Sequence, residues 1–134
     1  MRKTAKGMTS AALAGAALLA LTGTAHASLD APYIGSGYST NTHAVWCVQH
    51  DINYYLTHGA HVTNKIAALA EDGVWGAKTE AGVRWFQGQL SETPDGVVGA
   101  LTGSDLLMEG DPYYNGSPTA PGYCDQYIPG IWAP

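Results

Sequence analysis

Positive charge is scarce in this chain. Six lysines and arginines stand against eleven aspartates and glutamates, and three of the six, Arg2, Lys3 and Lys6, crowd the first residues. From Ser28 onward only Lys65, Lys78 and Arg84 face all eleven acids, a net charge near −8. A nucleic-acid-binding surface needs a basic footprint to meet phosphates, so that class is excluded. Electrostatic attachment to anionic polymers or lipid surfaces is disfavoured for the same reason. Long apolar runs are also missing. The longest, Ala11 to Leu21, falls well short of the about 20 residues that span a bilayer. Catalytic signatures are missing too. There is no H-E-x-x-H pair for a zinc peptidase and no serine in a G-x-S-x-G elbow.

What is present begins with an export signal. The basic residues at the start, the apolar stretch from Ala11 to Leu21 and the small-residue site Ala25-His26-Ala27 have the order of a secretory signal peptide. Residues 1–27 are therefore expected to be removed, leaving one small domain in an exported protein with no membrane anchor. No cysteine lies near the cleavage site to carry a lipid. Cys47 and Cys124 are the two cysteines, and an even count in an exported chain points to a disulfide between them. Closing so long a loop is worth roughly 4 kcal/mol in the chain-entropy view.

One octapeptide occurs twice. Asp72-Gly73-Val74-Trp75-Gly76-Ala77-Lys78-Thr79 returns as Asp95-Gly96-Val97-Val98-Gly99-Ala100-Leu101-Thr102, with six of eight positions identical. Each copy reads as a turn, in which glycine supplies φ > 0, followed by a helix start at which Gly76 or Thr79, and Gly99 or Thr102, serve as caps. After an irregular lead-in over 28–42, capped by Asn41 or Thr42, a first helix is predicted over His43 to Leu56. Its stripe is Val45, Val48, Gln49, Ile52 and Leu56, and Trp46 and Asn53 lie off it. The second helix, Ala77 to Gln89, carries Val83, Phe86, Gln87 and Leu90 on one face. Gly82 within it suggests a tight packing contact. A third helix is placed at Leu101 to Met108, with Leu101 and Leu106 or Leu107 facing the core. Between the first two helices, Lys65 to Leu69 has room for a short helical turn. Beyond Glu109 the chain is rich in proline, glycine and aromatics and shows no helical pattern. It reads as an ordered tail over 109–134, wrapped over the bundle and pinned by Cys124.

The order and spacing of Val45-x-x-Val48-Gln49-x-x-Ile52, Asp72-Gly73-x-Trp75-Gly76-x-x-Thr79-x-x-x-Val83-x-x-Phe86-Gln87 and Asp95-Gly96-x-Val98-Gly99-x-x-Thr102-x-x-x-Leu106 resembles the peptidoglycan-binding-like domain family. The resemblance covers about Val45 to Leu107. It implies an all-α fold over 43–108: a small three-helix orthogonal bundle with two DGxxG turn-helix repeats and an irregular, disulfide-pinned tail. It also implies a secreted, cell-wall-associated, non-catalytic module that takes a peptidoglycan glycan strand or peptide stem and needs no cofactor. The chain departs from the family at Ser91-Glu92, where Gly-Leu is usual, and at Gly103, where an aromatic is usual. Its stretch from Gln49 to Asp72 is also longer than common.

Candidate ligand contacts follow. Trp85 lies off the stripe of the second helix beside Arg84, where an indole stacks on the apolar face of a sugar unless the tail covers it. Tyr54 and Tyr55 close the first helix and line the same groove, one of them packing inward. Asp72 and Asp95 either bind a ligand's amines or satisfy their own turns, and Trp75 sits at a core position. A catalytic zinc needs three protein ligands. His43 and His50 stand seven apart on the first helix, but His58 and His61 would have to reach in from the loop and no H-E-x-x-H pattern is present, so no metal site is expected. Two other readings stay open: a structural or interaction protein that docks a partner such as a cell-wall hydrolase, and a small zinc-dependent wall peptidase.

Overall fold

The computed structural model describes residues 30–117 and 119–131. The expected signal peptide and the last residues of the tail, Trp132 among them, lie outside the described residues. Three long helices carry the fold: α1 (Thr42–His58), α2 (Ala77–Gln89) and α3 (Ala100–Glu109). A short helix α4 (Pro112–Asn115), a two-residue antiparallel pair β1 (Gly116–Ser117) and β2 (Ala120–Pro121), and a 3₁₀ turn at Cys124–Gln126 follow. The tail expected to be irregular thus contains a helical turn and a small hairpin. Asp111 explains the turn, because its carboxylate accepts from the Tyr113 N–H and Pro112 occupies the first helical position.

α1 starts one residue before the expected site and runs two residues past Leu56. Asn41 caps it, its side-chain oxygen accepting from the N–H groups of His43 at 2.9 Å and Ala44 at 3.3 Å. Val45, Val48, Gln49, Ile52 and Leu56 are all buried, as the stripe predicts. α2 buries Thr79, Gly82, Val83, Phe86 and Gln87. The tight contact at Gly82 is with Leu69, since a Cβ there would sit 2.8 Å from Leu69 Cδ1.

α3 is rotated from the orientation expected. Leu101 is 56 % exposed, whereas Thr102, Gly103, Ser104 and Leu106 face inward. The tail is the reason. A Cβ on Gly103 would lie 1.7 Å from the Pro129 carbonyl oxygen, so the tail crosses α3 at that residue and delivers the fully buried Ile128 into the core. The Ser104 hydroxyl accepts from the Ile131 N–H at 2.8 Å beside the crossing. A side chain at 103 and a closely docked tail are mutually exclusive.

The expected helical turn at Lys65 to Leu69 is not formed. Asn53 takes the backbone groups that such a turn would use, donating to the Leu69 carbonyl at 2.9 Å and accepting from its N–H at 2.8 Å. At the other end of the domain, Ile34 of the lead-in is fully buried and exchanges both backbone hydrogen bonds with Val98, at 3.0 and 2.9 Å.

The Cys47–Cys124 disulfide joins α1 to the 3₁₀ turn, with Cα atoms 5.6 Å apart across 77 residues of sequence. Both cysteines are completely buried. Native protein should therefore yield no alkylated cysteine until it is reduced and unfolded, and then two. Labelling of native, unreduced protein by an alkylating agent would contradict the bond.

Candidate functional site

The two Asp-Gly segments are held by the same device. Gln49 projects from α1 into the first. Its side-chain carbonyl accepts from the Gly73 N–H at 2.9 Å, and its Nε2 reaches Asp72 Oδ1 at 3.0 Å, the Val74 carbonyl at 3.1 Å and Thr79 Oγ1 at 3.1 Å. Gln87, from α2, treats the second segment alike. It accepts from the Gly96 N–H at 3.0 Å and reaches Asp95 Oδ1 at 2.8 Å, the Val97 carbonyl at 3.0 Å and Thr102 Oγ1 at 3.1 Å. Gly73 and Gly96 have φ of 70° and 77°, the left-handed conformation that lets each N–H turn toward its glutamine. A Cβ on Gly73 would also strike the Thr42 carbonyl oxygen at 2.7 Å. Both glutamines are buried to within 1 %, where unpaired amides are costly, so their hydrogen bonds fix the turns as firmly as packing does.

Beside the first segment lies a cavity of about 410 Å³, lined among others by His43, Trp46, Glu71, Asp72, Tyr114 and Tyr123. α1 forms one wall and the tail the other. Trp46 stacks on His50, ring centroids 4.8 Å apart and planes within 8°. Tyr114 and Tyr123 meet Trp46 edge-on at 5.2 and 6.0 Å. His43 stacks on Tyr127 at 5.2 Å and shares a short hydrogen bond with the Tyr123 hydroxyl. His50 ties three parts of the chain together: Nδ1 lies 2.9 Å from Glu71 Oε2 and Nε2 lies 3.2 Å from Asp111 Oδ2. Burial alone would lower the His50 pKa, but the hydrogen bonds to Glu71 and Asp111 outweigh it and raise the value. Burial pushes the Glu71 carboxyl up, yet hydrogen bonds from Asn53 and His50 hold it below the usual range. The Asp72 carboxyl is held low by the Val74 N–H and by Gln49. The groove thus presents rigid aromatic rings and two ionised carboxylates.

A second cavity of about 350 Å³ lies beside the second Asp-Gly segment, lined by Tyr33, Tyr38, Glu92, Asp95 and Leu101 among others. Burial, together with the neighbouring Asp105, pushes the Glu92 carboxyl up to about 7.

The residues singled out from the sequence lie in different places. Asp72 is exposed at the rim of the first groove, its Oδ1 accepting from the Val74 N–H at 2.9 Å as well as from Gln49. Tyr55 is the inward tyrosine, buried edge-to-face on Phe86 at 5.2 Å. Tyr54 is half-buried and stacks on His58 at 4.1 Å. Trp85 is half-buried against the core, and its indole N–H donates to the carbonyls of Thr63 at 3.2 Å and Asn64 at 2.9 Å. The α1–α2 loop meets it there. Arg84 is exposed, paired with Glu80 at 2.9 Å and bonded to the Pro94 carbonyl. Trp85 and Tyr55 are neighbours at 6.1 Å, whereas Asp72 belongs to the aromatic groove. Reading the sequence missed Trp46, His50, Tyr114 and Tyr123 as a group. The available signal was Trp46 itself, a large aromatic off the apolar stripe of an otherwise regular amphipathic helix. Among the described residues, no group of three or more His, Cys, Asp or Glu side chains is placed to hold a metal ion, and no helix is long and apolar enough to cross a membrane.

The arrangement is one of turn-launched helices with an aromatic recess between a helix and a docked tail. Residues 53–104 match the family model described as a putative peptidoglycan binding domain, which is the family whose motifs the sequence resembles. No curated protein and no solved structure matches the chain.

Proposed function

We propose that this chain is exported by removal of residues 1–27 and binds bacterial cell-wall peptidoglycan without cleaving it. The match of residues 53–104 to the family model supports the peptidoglycan-binding part of that reading, and export rests on the signal-peptide pattern of the first residues. We place the principal seat for the wall polymer in the groove of Trp46, Tyr114 and Tyr123, with Asp72 at its rim. Three rings held by mutual packing give large contact area at little cost in side-chain entropy. A seat built on Trp85 with Arg84, Tyr54 and Tyr55 is the alternative location within the same function. There the indole N–H is already committed to loop carbonyls.

Sedimentation with purified insoluble peptidoglycan tests both the function and its site. Wild-type protein should pellet with the wall material. Trp46→Ala should reduce the bound fraction several-fold, since a stacking ring is worth about 1 kcal/mol beyond the area it buries. Circular dichroism should report an unchanged fold. Loss on Trp85→Ala with Trp46→Ala unaffected would move the site to the other location.

A second reading, docking of a protein partner, draws on the second cavity, where Tyr33, Tyr38 and Leu101 are 48, 56 and 56 % exposed. Clustered exposed apolar side chains of this kind mark interaction surfaces. Wild-type protein that stays in the supernatant with peptidoglycan of several types would favour that reading over wall binding.

A further inference from the structure

We propose that the aromatic groove recognises a primary ammonium group carried by a wall peptide, rather than the glycan strand or a peptide carboxylate. The inference rests on the wall-binding reading above and specifies its ligand.

Charge at the groove carries the argument. Its ionisable lining includes the carboxylates of Glu71 and Asp72 and no lysine or arginine. The rest of the chain does not correct this bias, because Lys65, Lys78 and Arg84 are its only lysines and arginines beyond the first residues, and Arg84 is occupied with Glu80. A wall polymer offers neutral sugars, peptide carboxylates and peptide amines. The groove's field repels the carboxylates and attracts the amines.

The two acids play different parts. Glu71 is spent within the fold, with Oε1 accepting from Asn53 at 2.8 Å and Oε2 facing His50. At Asp72 the hydrogen bonds from Val74 and Gln49 both run to Oδ1, and Oδ2 takes part in neither. Asp72 is therefore the carboxylate that can accept an ammonium N–H without breaking the turn. Trp46, Tyr114 and Tyr123 line the same cavity, and aromatic faces favour a cation at short range, an indole most of all. A carboxylate beside aromatic walls is suited to a compact ammonium on an alkyl stem, the stem lying on the rings and the charge at the rim. A neutral sugar ring would use the aromatics, and its hydroxyls could donate to Asp72, but it would gain nothing from the negative charge of the groove.

Asp72→Asn isolates the charge, because the asparagine side-chain oxygen can still accept from the Val74 N–H and from Gln49. Its thermal midpoint should match the wild type. Binding is read by sedimentation with insoluble peptidoglycan, either untreated or with its amines acetylated by acetic anhydride. Acetylation should lower wild-type binding about tenfold. Asp72→Asn should lower binding to untreated wall by a similar factor and lose nothing further on acetylated wall. A soluble peptide of stem composition with a free side-chain amine should compete, and its N-acetylated form should not. Equal binding of the wild type to acetylated and untreated wall would overturn the inference while leaving wall binding in place. So would full binding by Asp72→Asn, or failure of the amine peptide to compete. Absence of wild-type binding to untreated wall would instead remove the wall-binding reading on which the inference stands.

Discussion

Asp51→Asn is expected to be more stable than the wild-type protein at pH 8 and no more stable at pH 4. Asp51 sits on the inner face of α1 and is fully buried. Its Oδ1 accepts from the Asp111 N–H at 3.1 Å and from Asn115 Nδ2 at 3.0 Å, so it fastens the start of the tail to the helix. Oδ2 has no partner. Burial pushes the carboxyl up to about 8 from an ordinary 3.8, against the opposing pull of those two hydrogen bonds and of His50. The folded protein therefore keeps a proton between about pH 4 and pH 8 that the unfolded chain releases. Because the folded value is raised, the stability linked to this proton is fully present below the unfolded pKa and is lost as pH rises through the folded one. At about 1.4 kcal/mol per unit, the shift sets a ceiling near 6 kcal/mol, and on the order of 2–6 kcal/mol should be lost across that window. Asparagine keeps an acceptor for both hydrogen bonds and cannot ionise. Denaturant titrations of the two proteins from pH 4 to 8 should diverge steadily. Some slope will remain in the variant, because the raised values of His50 and Glu92 act in the same direction, but the difference between the curves belongs to Asp51 and its coupling to His50. Parallel curves would mean that Asp51 is charged in the fold.

How far the sequence discloses this molecule depends on whether the informative contact is local. The stripe of α1 and its Asn41 cap were legible because helical periodicity and capping are decided within a few residues. The bounds of α2, Ala77–Gln89, were legible for the same reason. Gln49 and Gln87 were visible as the polar members of apolar stripes, and each follows a large apolar residue, Val48 or Phe86. Their partners, however, lie 23 and 8 residues away at the Asp-Gly turns, and periodicity does not name a partner. Leu101 shows where local reasoning fails. A leucine near a helix start reads as core, but the tail claims the space over Gly103 and turns Leu101 to solvent. The stretch from Lys65 to Leu69 was open to a helical reading because nothing in it reveals that Asn53 takes up its backbone groups. The groove was the least legible feature of all. Trp46 meets Tyr114 and Tyr123 only once the tail folds back, and those pairings are long-range products of the disulfide and of the Asp51 and His50 contacts. Asp72, read from its turn motif alone, lies at the rim of that groove for a reason the motif does not contain.

Phe86→Ala should bring the domain close to unfolding, with a loss of about 3–5 kcal/mol. Phe86 is the only phenylalanine in the sequence and, among the described residues, the largest completely buried side chain. It stands on the inward face of α2, between Val83 and the glutamine that clamps the second turn, and Tyr55 of α1 meets its ring edge-on at 5.2 Å. Truncation removes the transfer free energy of the ring and also leaves a cavity. The cavity cannot collapse easily, because its surroundings are pinned. α1 is tied to the first turn through Gln49, α2 to the second turn through Gln87, and α1 to the tail through the disulfide. A site that relaxes poorly sits at the upper end of the range for such truncations. Domains of this size commonly have only about 5–15 kcal/mol of stability to lose. Phe86→Leu, which retains most of the apolar volume, should cost well under half as much. Denaturant titration of the three proteins at one pH, with the slope held in common, gives both differences. A loss below about 1 kcal/mol for the alanine variant would require α2 to be rotated about its axis, which would also dissolve the Gln87 clamp.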